Sequence, residues 1–258
     1  MSQANNTDTD LCTLDTCPIS KSVFEYRPSL GANAAFLALF ALTGLAHVAQ
    51  GIITKKRAFW ISVALGCLTE VIGYAGRLMM WNNPFDGNGF LIQICCLTIA
   101  PAFFAAAIYF TLGDIVRVVS VRASRLKPGH YWRIFIPCDI ISLTLQGTGG
   151  GMASVSSDNN EDPTNGTNIM IAGLAFQVAS MTAFILLCLD YAWRVKRTEG
   201  HLPRLPVSRT KLRLFVAFFS TAILCIFIRC IYRVFELSEG WDGALIKDQT
   251  KFIALEGV

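Results

Sequence analysis

The chain has 258 residues, 53% of them apolar and 16% charged, with a mean hydropathy of +0.48 and a formal net charge of +4. That composition excludes a soluble globular domain and points to an integral membrane protein. The positive balance sits in a few short loops, so it reports topology and gives no ground for a nucleic-acid partner.

Residues 1–29 read as a polar extracellular tail. They lack a basic stretch followed by an apolar core, so no cleavable signal peptide is expected and the first span inserts the chain. Cys12 and Cys17 are placed to bridge each other in an oxidising compartment. Six apolar runs follow, at 30–53, 58–80, 90–113, 132–155, 168–191 and 212–235. Each reaches the roughly 20 residues that cross about 30 Å of hydrocarbon. They are too long and too continuously apolar for transmembrane strands. The expected fold is all-α: one polytopic helical bundle over 30–258, of seven-helix type with six complete spans. A polar loop then leads to an apolar start near 252, with seven residues beyond Lys251. The seventh helix is therefore expected to be truncated.

Orientation follows from lysine and arginine, which remain on the cytoplasmic side in short loops. Lys55, Lys56 and Arg57 follow the first span. Arg117, Arg122, Arg125, Lys127 and Arg133 surround the third loop, and Arg194, Lys196, Arg197, Arg204, Arg209, Lys211 and Arg213 the fifth. These are fifteen of the 22 basic residues, and loops 81–89 and 156–167 contain none. The expected N-terminus is extracellular, in a protein of the plasma membrane. Sequons at Asn5 and Asn165 fall on the same outer side as candidate N-glycosylation sites.

Seven of the nine cysteines lie within spans, where cysteine packs as a small apolar side chain. His47, His130 and His201 are scattered, so no metal site is expected, and no cofactor. The phosphate-binding pattern G-x-x-x-x-G-K-[ST] is missing, which removes ATP as a driving force within the chain. No catalytic residue is expected.

Polar side chains inside spans are expensive and mark function by default. Glu70, Tyr74 and Arg77 fall at i, i+4 and i+7 on one face of the second span, and Arg229, Arg233 and Glu236 share a face of the sixth. Asp139, Ser142 and Gln146 share a face of the fourth, and Gln177 lies near the middle of the fifth. Glu70, Tyr74, Arg77, Asp139, Gln146, Gln177, Arg229, Arg233 and Glu236 are the candidate substrate-binding and translocation residues, lining one polar interior. Asp114 and Asp190, at span ends beside Arg117 and Arg194, read as interfacial ion pairs.

Gly147 and Gly151 form a small-x-x-x-small pair that admits a neighbouring helix. The run Gly149, Gly150, Gly151 weakens the helix by about 1 kcal/mol per glycine. It is expected to kink or unwind there, its freed carbonyls facing a cavity. Pro101, in mid-span, is a second expected kink.

The ordered series "EYRPSLGANAAF" (25–36), "EVIGYAGR" (70–77), "APAFFAAAIYFTLGD" (100–114), "CDIISLTLQGTGGGM" (138–152), "AGLAFQ" (172–177) and "IRCIYRVFELSEGWDG" (228–243) resembles the fungal lipid-translocating exporter, or RTA-like, family. The resemblance implies seven helices with the N-terminus outside. It also implies export or regulation of amphipathic lipids, such as sphingoid long-chain bases or sterol-like amines, giving resistance to them. One branch handles porphyrin or haem. The implied partners are an amphipathic lipid ligand and membrane lipids. The alternative is a seven-helix receptor, sensor or regulator of lipid asymmetry, whose basic loops 114–131 and 192–211 bind a cytoplasmic partner.

Overall fold

The computed structural model describes residues 14, 16–22, 24–54, 57–159, 161–197, 208–238 and 249–256. Seven α-helices account for nearly all of them: α1 (Leu30–Thr54), α2 (Arg57–Asn82), α3 (Gly87–Val119), α4 (His130–Asp158), α5 (Thr164–Arg197), α6 (Arg209–Ser238) and α7 (Gln249–Glu256). Where the ends are set locally, polar side chains do it. Asp86 caps α3 by accepting from the Asn88 N–H at 3.1 Å, and Asp162 accepts from the Thr164 N–H at 3.0 Å as α5 begins.

Five helices, α1, α2, α3, α5 and α6, are long and apolar enough to cross a membrane. The chain is an integral membrane protein. The fourth of the six expected spans stands apart: α4 has 29 residues, about 43 Å of helix, but its acid, amide, serines and glycines keep it from the five helices apolar enough to span. The polarity of the bundle is inverted relative to a soluble protein. Glu70, Arg77, Asp139, Gln146, Gln177, Arg229, Arg233 and Glu236 are buried, while Leu42, Leu45, Ile53, Leu186, Leu189, Phe218 and Phe235 are exposed. Lipid is the solvent those exposed side chains suit.

The helices pack chiefly as α1 on α2, α2 on α3 and α4 on α5, with α6 against α3 and α5 and α7 touching α6. Glycines set two of these seams. A Cβ on Gly76 would stand 2.8 Å from the Gly89 carbonyl, which brings the backbones of α2 and α3 together. On the α4–α5 seam a Cβ on Gly149 would meet the Met170 nitrogen at 2.5 Å, and one on Gly166 the Ala153 nitrogen at 2.4 Å.

That seam corrects the glycine expectation. Gly147 and Gly151 have nothing within 4 Å of a built Cβ, and Gly150 meets only sulfur atoms at ordinary contact distance. Gly149 alone of the run makes the close approach, with Gly166 of α5 on the other side, while Gly173 of α5 lies against Ser142 and Leu145. Nor does α4 unwind at 149–151: its helix is continuous from 130 to 158, as α3 is through Pro101. Packing against α5 holds the glycines helical despite their low propensity.

At the end that carries Arg57, Arg117 and Arg194, here the basic end, the core is aromatic. Tyr109 and Phe135 each pack on Phe184, with centroids 4.7 and 5.3 Å apart. Asp114 pairs with Arg117 at 3.2 Å, and Asp190 holds both Arg125 and Arg194, at 2.8 and 2.9 Å. The opposite, acidic end carries Asp86 and Asp162. There the segment Phe24–Arg27 closes over α2 and α3: Phe24 is buried against Phe90, and the Arg27 Nε donates to the Trp81 carbonyl at 2.9 Å.

Candidate functional site

Among the described residues, three groups of the buried polar side chains lie within the bundle. The first joins α2, α3 and α6. Glu70 is thirteen residues into α2, about 20 Å of rise, and Arg229 reaches it from α6, with Nη1 to Oε1 at 2.5 Å. Both side chains are almost wholly buried. The same guanidinium donates through Nη2 to the Leu97 carbonyl of α3 at 3.3 Å. That carbonyl is available for a chemical reason. Its helical donor would be the N–H four residues on, and residue 101 is proline, which has none. Pro101 thus acts here by supplying an acceptor to Arg229.

Toward the acidic end the same faces continue. Arg233 pairs with Glu236 on its own helix, Nη1 to Oε2 at 2.5 Å. Phe252 of α7 inserts between two cations, its ring centroid 3.7 Å from the Arg77 guanidinium carbon and 5.9 Å from that of Arg233. Arg77 donates to the Tyr26 hydroxyl at 3.1 Å and has no carboxylate partner among the described residues. Tyr74, fully buried, stacks on Phe36 and Phe40 of α1, with centroids 5.4 and 5.9 Å away.

The second group is the Gln146–Gln177 pair across α4 and α5, with Nε2 donating to Oε1 at 2.8 Å. The third is Asp139, buried about 14 Å from the basic end of α4, where the Tyr109 hydroxyl of α3 faces it. One of its carboxyl oxygens has no hydrogen-bond partner, and no cation pairs with it among the described residues. Tyr109 also lies close to Cys230, the residue after Arg229. Among the described residues no three His, Cys, Asp or Glu side chains stand together as a metal site.

The RTA1 like protein family matches residues 63–258. The chain belongs to that family. Its relatives include the sphingoid long-chain base transporter RSB1 of Saccharomyces cerevisiae (strain Lalvin EC1118 / Prise de mousse), 34% identical over 263 residues, covering 90% of this chain and 68% of that protein. Protein RTM1 of Saccharomyces cerevisiae is 25% identical over 266 residues, covering 88% and 84% of the two chains. Protein RTA1 of Saccharomyces cerevisiae (strain ATCC 204508 / S288c) is 25% identical over 261 residues, covering 92% and 80%. No solved structure matches.

In this RTA1-like chain, the nine candidates from the sequence are all buried, and the contacts among the described residues join them in smaller groups. Glu70 and Arg229 are brought together, Arg77 and Arg233 flank one aromatic ring, the glutamines pair with each other, and Asp139 stands with Tyr109. The sequence reading missed Tyr26, Phe252, Tyr109 and the Leu97 carbonyl. Tyr26 and Phe252 are single aromatics beside polar segments, where no periodicity marks them. The Leu97 carbonyl was detectable as the acceptor that any helical proline leaves four residues back. Cys17 is disulfide-bonded, while Cys12 and Asn5 lie outside the described residues. Asn165 is exposed in the first turn of α5.

Proposed function

We propose that this RTA1-like chain moves amphipathic lipids bearing an amine head group, of the sphingoid long-chain base class, between the leaflets of the membrane. The observation that carries the reading is the likeness to a sphingoid long-chain base transporter along 90% of the chain. The chemistry of the buried acids agrees with it. An acyl chain remains in lipid beside the apolar helix faces while its ammonium head needs a carboxylate. Asp139 accepts such a head directly. Glu70 accepts one by exchanging Arg229 for it, two cations competing for one acid. At 4 Å and an effective dielectric constant near 20 such a contact is worth about 4 kcal/mol before desolvation is subtracted. Asp139 lies nearer the basic end and Glu70 farther along, so the two acids serve as successive stations for the head group.

On this reading the protein is not an enzyme: the lipid leaves chemically unchanged. The plasma membrane, an extracellular N-terminus and a cytoplasmic basic end complete the proposal, the last following from retention of lysine and arginine inside. Purified protein in liposomes with a fluorescent sphingoid base tests it. Transfer of the probe between leaflets should be faster than in empty liposomes, and Asp139→Asn should slow it. Unassisted transfer equal to the empty control would remove transport and leave a receptor or sensor.

A further inference from the structure

At the basic end, α2, α3 and α4 enclose a cleft of about 330 Å³ that the transport reading does not use. Arg57, the first residue of α2, and Arg117, in the last turn of α3, line it, and both are exposed. Its lining is otherwise largely aromatic: Phe59, Phe110 and Trp132, the last two with ring centroids 5.9 Å apart. Asp114 is the one lining carboxylate, paired with Arg117 at 3.2 Å. That pair is 61% and 43% exposed, so it is screened and gives way readily to a stronger anion. Arg57 has no carboxylate partner among the described residues. The lining therefore carries a net positive charge on an aromatic floor.

What surrounds the cleft indicates the anion. It lies where the apolar helices α2 and α3 end, and for helices that cross the hydrocarbon layer that is the region of the lipid head groups. Val118, Val121 and Ile134, close in the chain to its lining residues, are exposed apolar side chains. A soluble anion gains nothing from an apolar border, whereas a lipid phosphate arrives with glycerol and acyl chains that do. Further basic side chains at this end, Arg122 and Arg133 among them, enrich anionic lipid in the adjoining leaflet. We propose that the cleft binds the phosphate-bearing head group of an anionic glycerophospholipid, with Arg57 and Arg117 on the phosphate and the three aromatic rings against glycerol and the first methylenes.

The test uses the full chain in phosphatidylcholine nanodiscs that also hold a minor share of brominated phosphatidic acid or brominated phosphatidylcholine. Quenching of Trp132 is read as the difference between the wild type and Trp132→Phe. Brominated phosphatidic acid should quench more strongly. Arg57→Gln combined with Arg117→Gln should weaken its apparent affinity about tenfold or more, since each arginine near an anionic leaflet contributes about fivefold. Arg197→Gln, a change at the same end but outside the cleft, should keep the preference. Equal quenching by the two lipids overturns the proposal, and this wild-type comparison decides even if the double variant fails to fold. An Arg197→Gln loss as large as that of the double variant also overturns it, as diffuse attraction would then suffice. Abolition of the excess by millimolar inorganic phosphate overturns the lipid assignment in favour of a soluble phosphate compound.

Discussion

Arg229 and the carbonyl of Leu97 are joined across α6 and α3 by a 3.3 Å hydrogen bond that exists because Pro101 cannot serve that carbonyl. The other terminal nitrogen of the same guanidinium holds Glu70 of α2 at 2.5 Å. One side chain thus ties three helices together, and it does so through an acceptor that an unbroken helix would have kept for itself.

Pro101→Ala gives Leu97 back its helical donor. A proline inside a helix costs about 3 kcal/mol relative to alanine. The charge-assisted bond from Arg229 that the change displaces is worth about 1.5–3 kcal/mol. The two effects nearly cancel in stability, so the expected melting temperature in detergent is unchanged or slightly raised. Transfer of a fluorescent sphingoid base in liposomes should nevertheless change, because Arg229 loses a contact that orients it toward Glu70. Unaltered transfer at an unaltered melting temperature would show that the proline has no part in positioning Arg229.

Glu70→Gln removes the carboxylate that pairs with the buried Arg229 guanidinium. Breaking one side of a buried pair costs about 3–5 kcal/mol, whereas replacing both sides is often close to neutral. The single change should therefore lower thermal stability markedly, and Glu70→Gln with Arg229→Gln should recover most of the loss. Lipid transfer should stay impaired in the double variant. Full recovery of transfer would show the pair to be a clamp and nothing more.

Gly149→Ala places a methyl carbon 2.5 Å from the Met170 nitrogen, where backbone must move and α4 must part from α5. The expected cost is about 1–3 kcal/mol. Gly147→Ala and Gly151→Ala meet open space and should each stabilise α4 by up to about 1 kcal/mol. Melting curves of the three variants in one detergent rank them. The opposite order would mean that the seam lies on the other glycine face.

The Thr164 hydroxyl and N–H both donate to Asp162, and they hold its carboxyl below the usual carboxylate range. A group whose folded value is depressed contributes stability above its unfolded value, near 3.9, and loses it as pH falls through the folded value. Amide protection in the first turn of α5 should therefore weaken below about pH 4. Asp162→Asn should remove that dependence. Hydrogen exchange across an acidic pH series measures both.

Much of the candidate site was legible in the chain as buried charge, because charge inside an apolar run has few innocent explanations. The spacing of Glu70, Tyr74 and Arg77 assigns them one helical face, and counting rise places Glu70 and Arg229 at overlapping depths. Partner choice was not legible. Arg233 takes Glu236 three residues away, Arg229 takes Glu70 from another helix, and Arg77 takes an aromatic ring and a tyrosine hydroxyl. Which of these forms depends on how far each helix is rotated about its axis, and spacing within one helix carries no information on its neighbour's rotation.

The glycines make the same point from the packing side. Any of the four between 147 and 151 could have faced α5, and it is Gly149 that does so, with Gly166 and the Met170 backbone opposite it in α5. Hydropathy and local spacing, properties of single segments, were enough to determine a helical membrane protein with ionisable groups buried in its spans. Only the tertiary structure decided which of those groups meet, since a helix–helix contact is a joint property of two surfaces and the chain between them does not encode their angle.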